Sequence, residues 1–272
     1  MILWQKQATT SWLAANETSL EILAGSDLAI IARPGKPRTL VQVTCRDRVA
    51  ARKLRETFGG TVRPCPRFWA RPQKPHAPFR IGRRLEIVSE RSGPPRENDT
   101  RQLVIPAAGA FGTGEHATTA MSLRLLEASS RKLAPGWRLL DAGTGTGILA
   151  LAARRFGAGR VLGLDNDPRA IAHARSNARL NRISRASFTA ADVLNWKPAH
   201  RYDFITANLF SELLIAALPS LLRALHKSGG LIASGILRDQ ANSVTRALRR
   251  HGFQLQQQRR RGKWVALQAA RG

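Results

Sequence analysis

Short apolar runs alternate with stretches of helical periodicity over the second half of the chain. Runs such as WRLLDAG, RVLGLD, YDFITAN and GLIASGIL have the length and composition of buried strands. Segments such as ILALAARRFG, PRAIAHARSNARLN and QANSVTRALRRHG repeat apolar residues every three or four positions. Strands that alternate with helices predict an α/β fold, with a mostly parallel sheet covered by helices on both faces.

The first part of the chain has a different organisation. LEILAGSDLAIIARP and TLVQVTC are predicted strands and RDRVAARKLRETFGG is a predicted helix, so residues 1–62 are expected to form a small α+β domain. Residues 63–80 contain five prolines, which disfavour regular structure, and they are predicted to link this domain to a larger one over 81–272. A packed loop is the alternative, because the same segment contains large aromatic side chains.

A glycine-rich turn, DAGTGTG, follows the strand WRLLDAG. Gly143, Gly145 and Gly147 permit a tight turn and a close approach of the backbone to a ligand. In an open α/β sheet such a turn lies beyond the carboxyl ends of the strands, where ligands bind. The dinucleotide fingerprint GxGxxG needs glycine where this chain has Ile148, and the phosphate loop GxxxxGK[ST] is absent. The turn therefore disfavours nicotinamide dinucleotides and nucleoside triphosphates.

Two acids follow the next predicted strands. Asp165 ends the strand RVLGLD, 22 positions after Gly143, where a carboxylate can accept hydrogen bonds from both ribose hydroxyls. Asp192 ends the third strand and is expected to meet an adenine. A glycine loop with a ribose acid and without a phosphate clamp predicts S-adenosylmethionine as the cofactor. A glycine turn that only packs is the alternative, and Asp165 argues against it.

The segment AFGTGEHATT precedes the sheet and is predicted to enter a helix near Thr118. Hydroxyl and amide groups at a helix N-terminus favour a carboxylate. Thr113 and Thr119 are therefore expected to contact the carboxylate of the cofactor. His116 is either a proton carrier or a partner of local backbone groups, and the second role is favoured. His and Cys pairs at metal-ligand spacing are lacking, so no metal is expected.

Five motifs carry a family resemblance: AFGTGEHATT, LLDAGTGTGILALAA, GLDNDPRAI, ANLF and SGIL. Their order and spacing resemble the bacterial PrmA methyltransferases from about residue 76 to the end of the chain. The resemblance implies a class I methyltransferase domain with a Rossmann-like sheet, an N-terminal domain that recognises the substrate, and trimethylation of ribosomal protein L11 of the large subunit. It implies cofactor contacts at Thr119, Gly143, Asp165 and Asn208. The family usually has cysteine and serine where this chain has Thr144 and Thr146.

Methyl transfer to lysine requires a neutral amine in line with the methyl group and the leaving sulfur. Lysine has an ordinary pKa of about 10.4, and desolvation together with a carbonyl acceptor favours its neutral form. Asn208, at the end of FITAN, is the expected acceptor and the candidate catalytic residue, with capping of the next helix as the alternative. Phe111 and Phe210 either line the passage for the methyl group or fill the core.

The charge of the chain adds a candidate partner. Its 36 arginines and 8 lysines against 18 acidic residues give a net charge of +26, which attracts polyanions such as ribosomal RNA. A general bias towards arginine is an equally weighted alternative. There is no apolar run of about 20 residues, no secretory signal pattern and no CxxC pair, so a cytoplasmic protein without membrane contact is expected. An RNA-directed methyltransferase and a binding module without catalysis are the alternative functions.

Overall fold

The computed structural model describes residues 2–24, 28–31, 37–45, 47–65, 78–90, 101–106 and 116–272. The chain divides into two compact units, Met1–Lys74 and Pro75–Gly272. Within the described ranges, no helix combines the length and the apolar character needed to cross a membrane.

The first unit has the predicted α+β character. Its elements are β1 (Ile2–Ala8), α1 (Thr10–Ala24), β2 (Leu28–Ile31), β3 (Thr39–Cys45), α2 (Arg48–Phe58) and β4 (Thr61–Pro64). The strands form an antiparallel sheet in the order β2-β3-β1-β4. Its core contains aromatic and aliphatic side chains from the sheet and both helices, among them Trp4, Leu20, Val43, Leu54 and Phe58.

The strand predicted at LEILA was wrong, because these residues complete α1. A short apolar run does not distinguish a strand from a buried helix segment. The preceding residues TSWLAANETS include several good helix formers. Thr9 also stabilises the start of α1, since its Oγ1 accepts a hydrogen bond from the Trp12 N–H at 3.2 Å.

Strands include the first and the last residues of the predicted linker, 63–80. β4 includes Arg63 and Pro64, and the next strand begins at Phe79. β4 is an edge strand that Pro64 ends, so the missing N–H of proline costs no hydrogen bond inside the sheet. Residues 66–77 lie outside the described residues, and the linker between the two domains stays a prediction.

The second unit begins with a three-stranded sheet of β5 (Phe79–Ile81), β6 (Leu85–Val88) and β7 (Gln102–Val104). The main sheet has seven strands: β8 (Arg138–Ala142), β9 (Arg160–Asp165), β10 (Ala186–Ala190), β11 (Tyr202–Asn208), β12 (Leu225–Leu237), β13 (Phe253–Arg261) and β14 (Trp264–Arg271). Their order is β10-β9-β8-β11-β12-β14-β13, and β14 runs antiparallel to both of its neighbours while the strands from β10 to β12 are parallel. The order reverses between β8 and β11, which makes their carboxyl ends the switch point where α/β folds bind ligands.

Helices cover both faces of the main sheet, as predicted. They are α3 (Ala117–Ser130), α4 (Ile148–Arg155), α5 (Pro168–Leu180), α6 (Ser211–Ala224) and α7 (Ala241–Arg250). One apolar cluster joins α3, α4 and α5 to the sheet, and a second joins α6 and α7 to the opposite face. Consecutive strand residues alternate between the two faces, so Leu139 packs in the first cluster and Leu140 in the second. Because both faces of the sheet are buried, most residues of β8 (RLLDA) are apolar.

Candidate active site

A pocket of about 570 Å³ lies at the switch point between β8 and β11. Its volume is in the range typical of small-molecule sites. The sheet positions its lining, because the glycine turn follows β8, Asp165 ends β9, and Asn208 ends β11. The pocket contains most of the predicted site residues, with several from α3, α6 and β14: His116, Thr118, Thr119, Gly143, Gly145, Asp165, Asp192, Asn208, Leu209, Phe210 and Trp264.

The glycine turn needs its glycines for conformation and for space. Gly143, Gly145 and Gly147 have φ angles of 71°, 53° and 80°, in the left-handed region that favours glycine. A Cβ atom on Gly143 would also overlap the side chain of Leu209, which lines the pocket. The sequence DAGTGTG therefore brings its backbone close to the pocket in a way that side chains at these positions would prevent.

A buried carboxylate lies behind the turn. Asp141 is fully buried, and its two oxygens accept hydrogen bonds from Thr206 Oγ1 and Thr144 Oγ1, both at 2.7 Å. Burial raises the pKa of Asp141 to about 6, although the two hydroxyls and the Ala150 N–H lower it. Thr144 thus ties the glycine turn to Asp141 on β8, and Asp141 in turn is held by Thr206 on β11.

Asp165 supports the turn from the side of the pocket. Its Oδ2 accepts the Gly145 N–H at 2.9 Å and its Oδ1 accepts the Asp167 N–H at 3.1 Å. Each carboxylate oxygen has further lone pairs, so both can accept hydrogen bonds from a ligand as well. Asp192 lies two residues beyond β10, and its Oδ1 accepts the Leu194 N–H at 3.0 Å. Two acids therefore meet at the pocket from neighbouring strands.

A second buried polar contact fixes the far side of the turn. Asn177 on α5 is buried and its Nδ2 donates to the carbonyl of Thr146 at 2.9 Å. Gly147 is the N-cap of α4 with a φ angle of 80°, and its N–H donates to the Thr144 carbonyl at 2.8 Å. The conformation of the turn is thus set by β8, β9, β11 and α5 together.

The N-terminus of α3 contributes hydroxyl groups to the pocket. Thr119 is 1% exposed, and its Oγ1 has no hydrogen-bond partner within the described residues. His116 precedes the helix, its Nδ1 lies 2.7 Å from Thr118 Oγ1, and its ring meets the Trp264 ring edge-on with 5.1 Å between centroids. Burial, and secondly Lys263, lower the pKa of His116. The observed partner of His116 Nδ1 is thus a side-chain hydroxyl, and the predicted pairing of the ring with a backbone group stays a prediction.

Asn208 and Phe210 stand where β11 turns into α6. Within the described residues, the side chain of Asn208 makes no hydrogen bond, and the N-cap of α6 is Phe210, not Asn208. The alternative role of Asn208 as a helix cap is therefore not observed. Phe210 is 75% exposed and lines the pocket, so it does not fill the core, and its role beside a passage for the methyl group stays a prediction.

These residues fit an adenosyl cofactor. A buried hydroxyl without a partner is costly, and Thr119 presents one at a helix N-terminus, where a carboxylate is favoured. Asp165 presents a carboxylate, and Gly143 allows close approach. Phe111 and Thr113, also predicted to contact the cofactor, lie outside the described residues. Across the described ranges, no three His, Cys, Asp or Glu side chains are grouped to hold a metal ion.

Sequence reasoning missed three residues that shape the site. Asp141 could have been noticed, because it is a charged residue that directly follows two leucines in the strand RLLDA. No local sequence pattern marks Thr206 or Asn177, because their partners lie 65 and 31 positions away in the sequence. Their roles depend on tertiary contacts that a local pattern does not contain.

The strand order, the glycine turn at the switch point and the acid that ends β9 define the fold of the class I S-adenosylmethionine-dependent methyltransferases. The family model described as ribosomal protein L11 methyltransferase (PrmA) matches residues 67–272. The chain belongs to this family, and the resemblance found in its motifs is confirmed.

Individual relatives agree with the family match. Ribosomal protein L11 methyltransferases of Lacticaseibacillus paracasei and Pelotomaculum thermopropionicum are 37% and 38% identical over 203 and 202 residues, each covering 74% of this chain. The match covers 63% and 65% of those relatives, so the chain spans less than two thirds of their length. A crystal structure of ribosomal protein L11 methylase from Lactobacillus delbrueckii subsp. bulgaricus has a TM-score of 0.64 and 30% identity, covering 72% of this chain and 99% of that one.

Proposed function

We propose that this chain is a cytoplasmic S-adenosylmethionine-dependent methyltransferase that methylates lysine amino groups of a ribosomal protein, L11 of the large subunit. The observation that carries the proposal is the pocket at the switch point, where the glycine turn, Asp165 and Asn208 meet in a chain of this family. The relatives quoted above are named for the same substrate, which supports L11 over other proteins.

Different pocket residues bind different parts of the cofactor. S-adenosylmethionine, when bound, supplies a methyl group on a positively charged sulfur. Asp165 accepts hydrogen bonds from the ribose hydroxyls with the lone pairs that Gly145 and Asp167 leave free. Asp192 faces the adenine, and Thr119 donates its unpaired hydroxyl to the carboxylate of the methionine part.

Asn208 positions the amine that receives the methyl group. Its side-chain carbonyl accepts a hydrogen bond from the neutral lysine and directs the nitrogen lone pair towards the methyl group. The apolar rim, including Phe210, removes water from the lysine and so favours its neutral form. We propose that the transfer proceeds without a dedicated base and that the proton of the amine leaves to solvent before each transfer.

The unit formed by Met1–Lys74 is the proposed recognition domain. The family match begins at residue 67, so this unit lies almost entirely outside it. Its sheet and helices enclose a core of their own, as a separately folded recognition module requires. A substrate contact in this unit is a proposal that rests on the family resemblance and on the division of the chain.

Transfer of a labelled methyl group tests the proposal. The purified chain is mixed with labelled cofactor and, separately, with free L11, ribosomal RNA and assembled large subunits. Label in L11 lysines is expected, and label in RNA alone would support the RNA-directed alternative. Binding of the cofactor without any transfer would support a module that has lost catalysis.

A matched pair of variants tests the role of Asn208. Asn208→Ala is expected to lower the transfer rate about 10²-fold, because a misplaced nucleophile loses that order of rate. The control Asn242→Ala removes an exposed amide on α7, away from the pocket, and is expected to keep the rate. Equal rates for the two variants would refute the role of Asn208.

A further inference from the structure

A second concave site lies between α5 and the edge strand β10. It is a groove of about 380 Å³ that is lined by Arg175, Arg179 and Arg182 and by apolar side chains that include Ile183 and Phe188. β9 ends at the cofactor pocket, and α5 runs back from there. The C-terminal half of α5 therefore lies towards the amino ends of the strands, opposite the pocket. The groove is therefore separate from the pocket and has no part in the proposed methyl transfer.

Basic residues at the ends of helices have an ordinary explanation that covers only part of this site. A cation in the last turn complements the helix dipole, as Arg179 does on α5 and Arg249 and Arg250 do on α7. Arg182 and Arg185 lie beyond the end of α5, in the loop that leads to β10. The concentration of arginine at the groove thus exceeds what the helix requires.

The arginines at the groove and in its adjoining loop are exposed, and among the described residues they form no ion pair with an acid. Arg175, Arg179, Arg182 and Arg185 are all exposed, and none is among the ion pairs found between described residues. Arg175 has one internal partner, since its Nη2 donates to the Phe188 carbonyl at 2.7 Å, which holds its guanidinium at the groove. The site therefore presents positive charge that an anion can neutralise.

The loop that carries two of these arginines is held in a fixed, unfavourable conformation. Arg182 and Arg185 have φ angles of 51° and 58°, which L-residues with long side chains rarely adopt. Two arginines of α4 donate hydrogen bonds to carbonyl groups of this segment. Arg154 Nε donates to the Ser184 carbonyl at 3.0 Å, and Arg155 Nη2 donates to the Asn181 carbonyl at 3.1 Å. Burial, and secondly Arg185, lower the pKa of Arg154, so like charges are held close together here.

We propose that this groove binds the phosphate backbone of RNA through Arg175, Arg179, Arg182 and Arg185. Guanidinium groups suit phosphates because their planar forks donate two hydrogen bonds to one anion. Three such groups line the groove, and Arg185 adds a fourth in the adjoining loop, which suits a chain of phosphates better than a single small anion. RNA is the polyanion that accompanies ribosomal proteins, and in this respect the inference rests on the proposed function.

The test measures RNA binding directly and does not depend on methyl transfer. Fluorescence anisotropy of a labelled single-stranded RNA of mixed sequence is followed with the full chain at increasing potassium chloride. The variant Arg179→Gln, Arg182→Gln, Arg185→Gln removes two charges from the groove and one from the adjoining loop. Its affinity for RNA is expected to fall about tenfold or more, and the slope of log K against log salt to become shallower by about 2, since each lost phosphate contact on a single strand contributes about 0.7.

A matched control separates the groove from the overall charge. Arg246→Gln, Arg249→Gln, Arg250→Gln removes three exposed arginines from the C-terminal half of α7. This control is expected to keep RNA affinity within about threefold of the parent chain. An equal loss in both triple variants would overturn the proposal, because it would show that binding follows net charge alone. Unchanged affinity for S-adenosylhomocysteine in both variants confirms that the second unit is folded.

Two other ligands complete the experiment. Poly-glutamate and vesicles containing anionic lipid replace RNA in the same titrations. Weak binding of both, with little dependence on the groove substitutions, is expected. If either ligand bound more tightly than RNA and lost more affinity in the groove variant, the assignment to RNA would be wrong and the groove would bind an acidic peptide or a membrane surface.

Discussion

Replacing Asp141 by asparagine tests the buried carboxylate that supports the glycine turn. The substitution keeps the shape of the side chain and removes its titration. An amide can still accept a hydrogen bond from one of the two threonine hydroxyls and donate to the other, so the contacts with Thr144 and Thr206 can persist. The difference between the two proteins therefore reports mainly on the charge.

The magnitude follows from the pKa of Asp141. Burial raises it from 3.8 to about 6 in the folded protein, and this difference corresponds to about 3 kcal/mol. Below pH 3.8 the group is protonated in both the folded and the unfolded state, and its stabilising contribution is fully present. Between pH 3.8 and about 6 only the folded protein keeps the proton, so this contribution is lost progressively as the pH rises.

The assay is urea unfolding followed by tryptophan fluorescence between pH 4 and pH 7.5. The free energy of unfolding of the parent chain minus that of Asp141→Asn is expected to fall by about 2 kcal/mol across this range, because part of the full difference is already lost at pH 4. The control Asp239→Asn removes an exposed carboxylate and is expected to change stability by less than about 0.5 kcal/mol. A flat difference for Asp141→Asn, or one that rises with pH, would refute the reasoning.

Three further predictions concern the cofactor pocket and can be measured by calorimetric titration with S-adenosylhomocysteine. Asp165→Ala is expected to weaken binding by about 10- to 150-fold, the equivalent of about 1.5–3 kcal/mol for a charge-assisted hydrogen bond. The control Asp167→Ala changes a residue outside the pocket lining and is expected to keep the affinity. If the two variants bound the ligand equally well, Asp165 would not belong to the site. Gly143→Ala is expected to abolish measurable binding, because the turn needs a φ of 71° and the new methyl group overlaps Leu209; tight binding would contradict this geometry. Thr119→Val is expected to weaken binding about tenfold without loss of thermal stability, because its hydroxyl has no partner within the described residues; a fall in melting temperature with unchanged affinity would assign that hydroxyl a structural role.

The sequence predicted the central part of the fold because local pattern and tertiary structure agree there. In the stretch from β8 to α5, apolar strands buried on both faces, left-handed glycines and a Pro168 at the start of a helix each leave a local signal. Asp165, Asp192 and Asn208 could be placed at one pocket because parallel strands bring their carboxyl ends to the same edge.

The remaining features depend on contacts between distant residues. The run LEILA fits a strand or a helix equally well, and the rest of α1 determines the outcome. The support of the turn by Asp141 requires Thr206, which follows it by 65 positions. The exposure of Phe210 and the unpaired hydroxyl of Thr119 likewise appear only once the helices are packed on the sheet.

A crystal structure of the chain soaked with S-adenosylhomocysteine tests the central claim most directly. The account predicts the adenosyl group in the pocket at the ends of β8 and β9, with ribose hydroxyls about 3 Å from the Asp165 carboxylate and the main chain of Gly143 in contact with the ligand. Density for the ligand at any other place, or an empty pocket at saturating ligand, would contradict it.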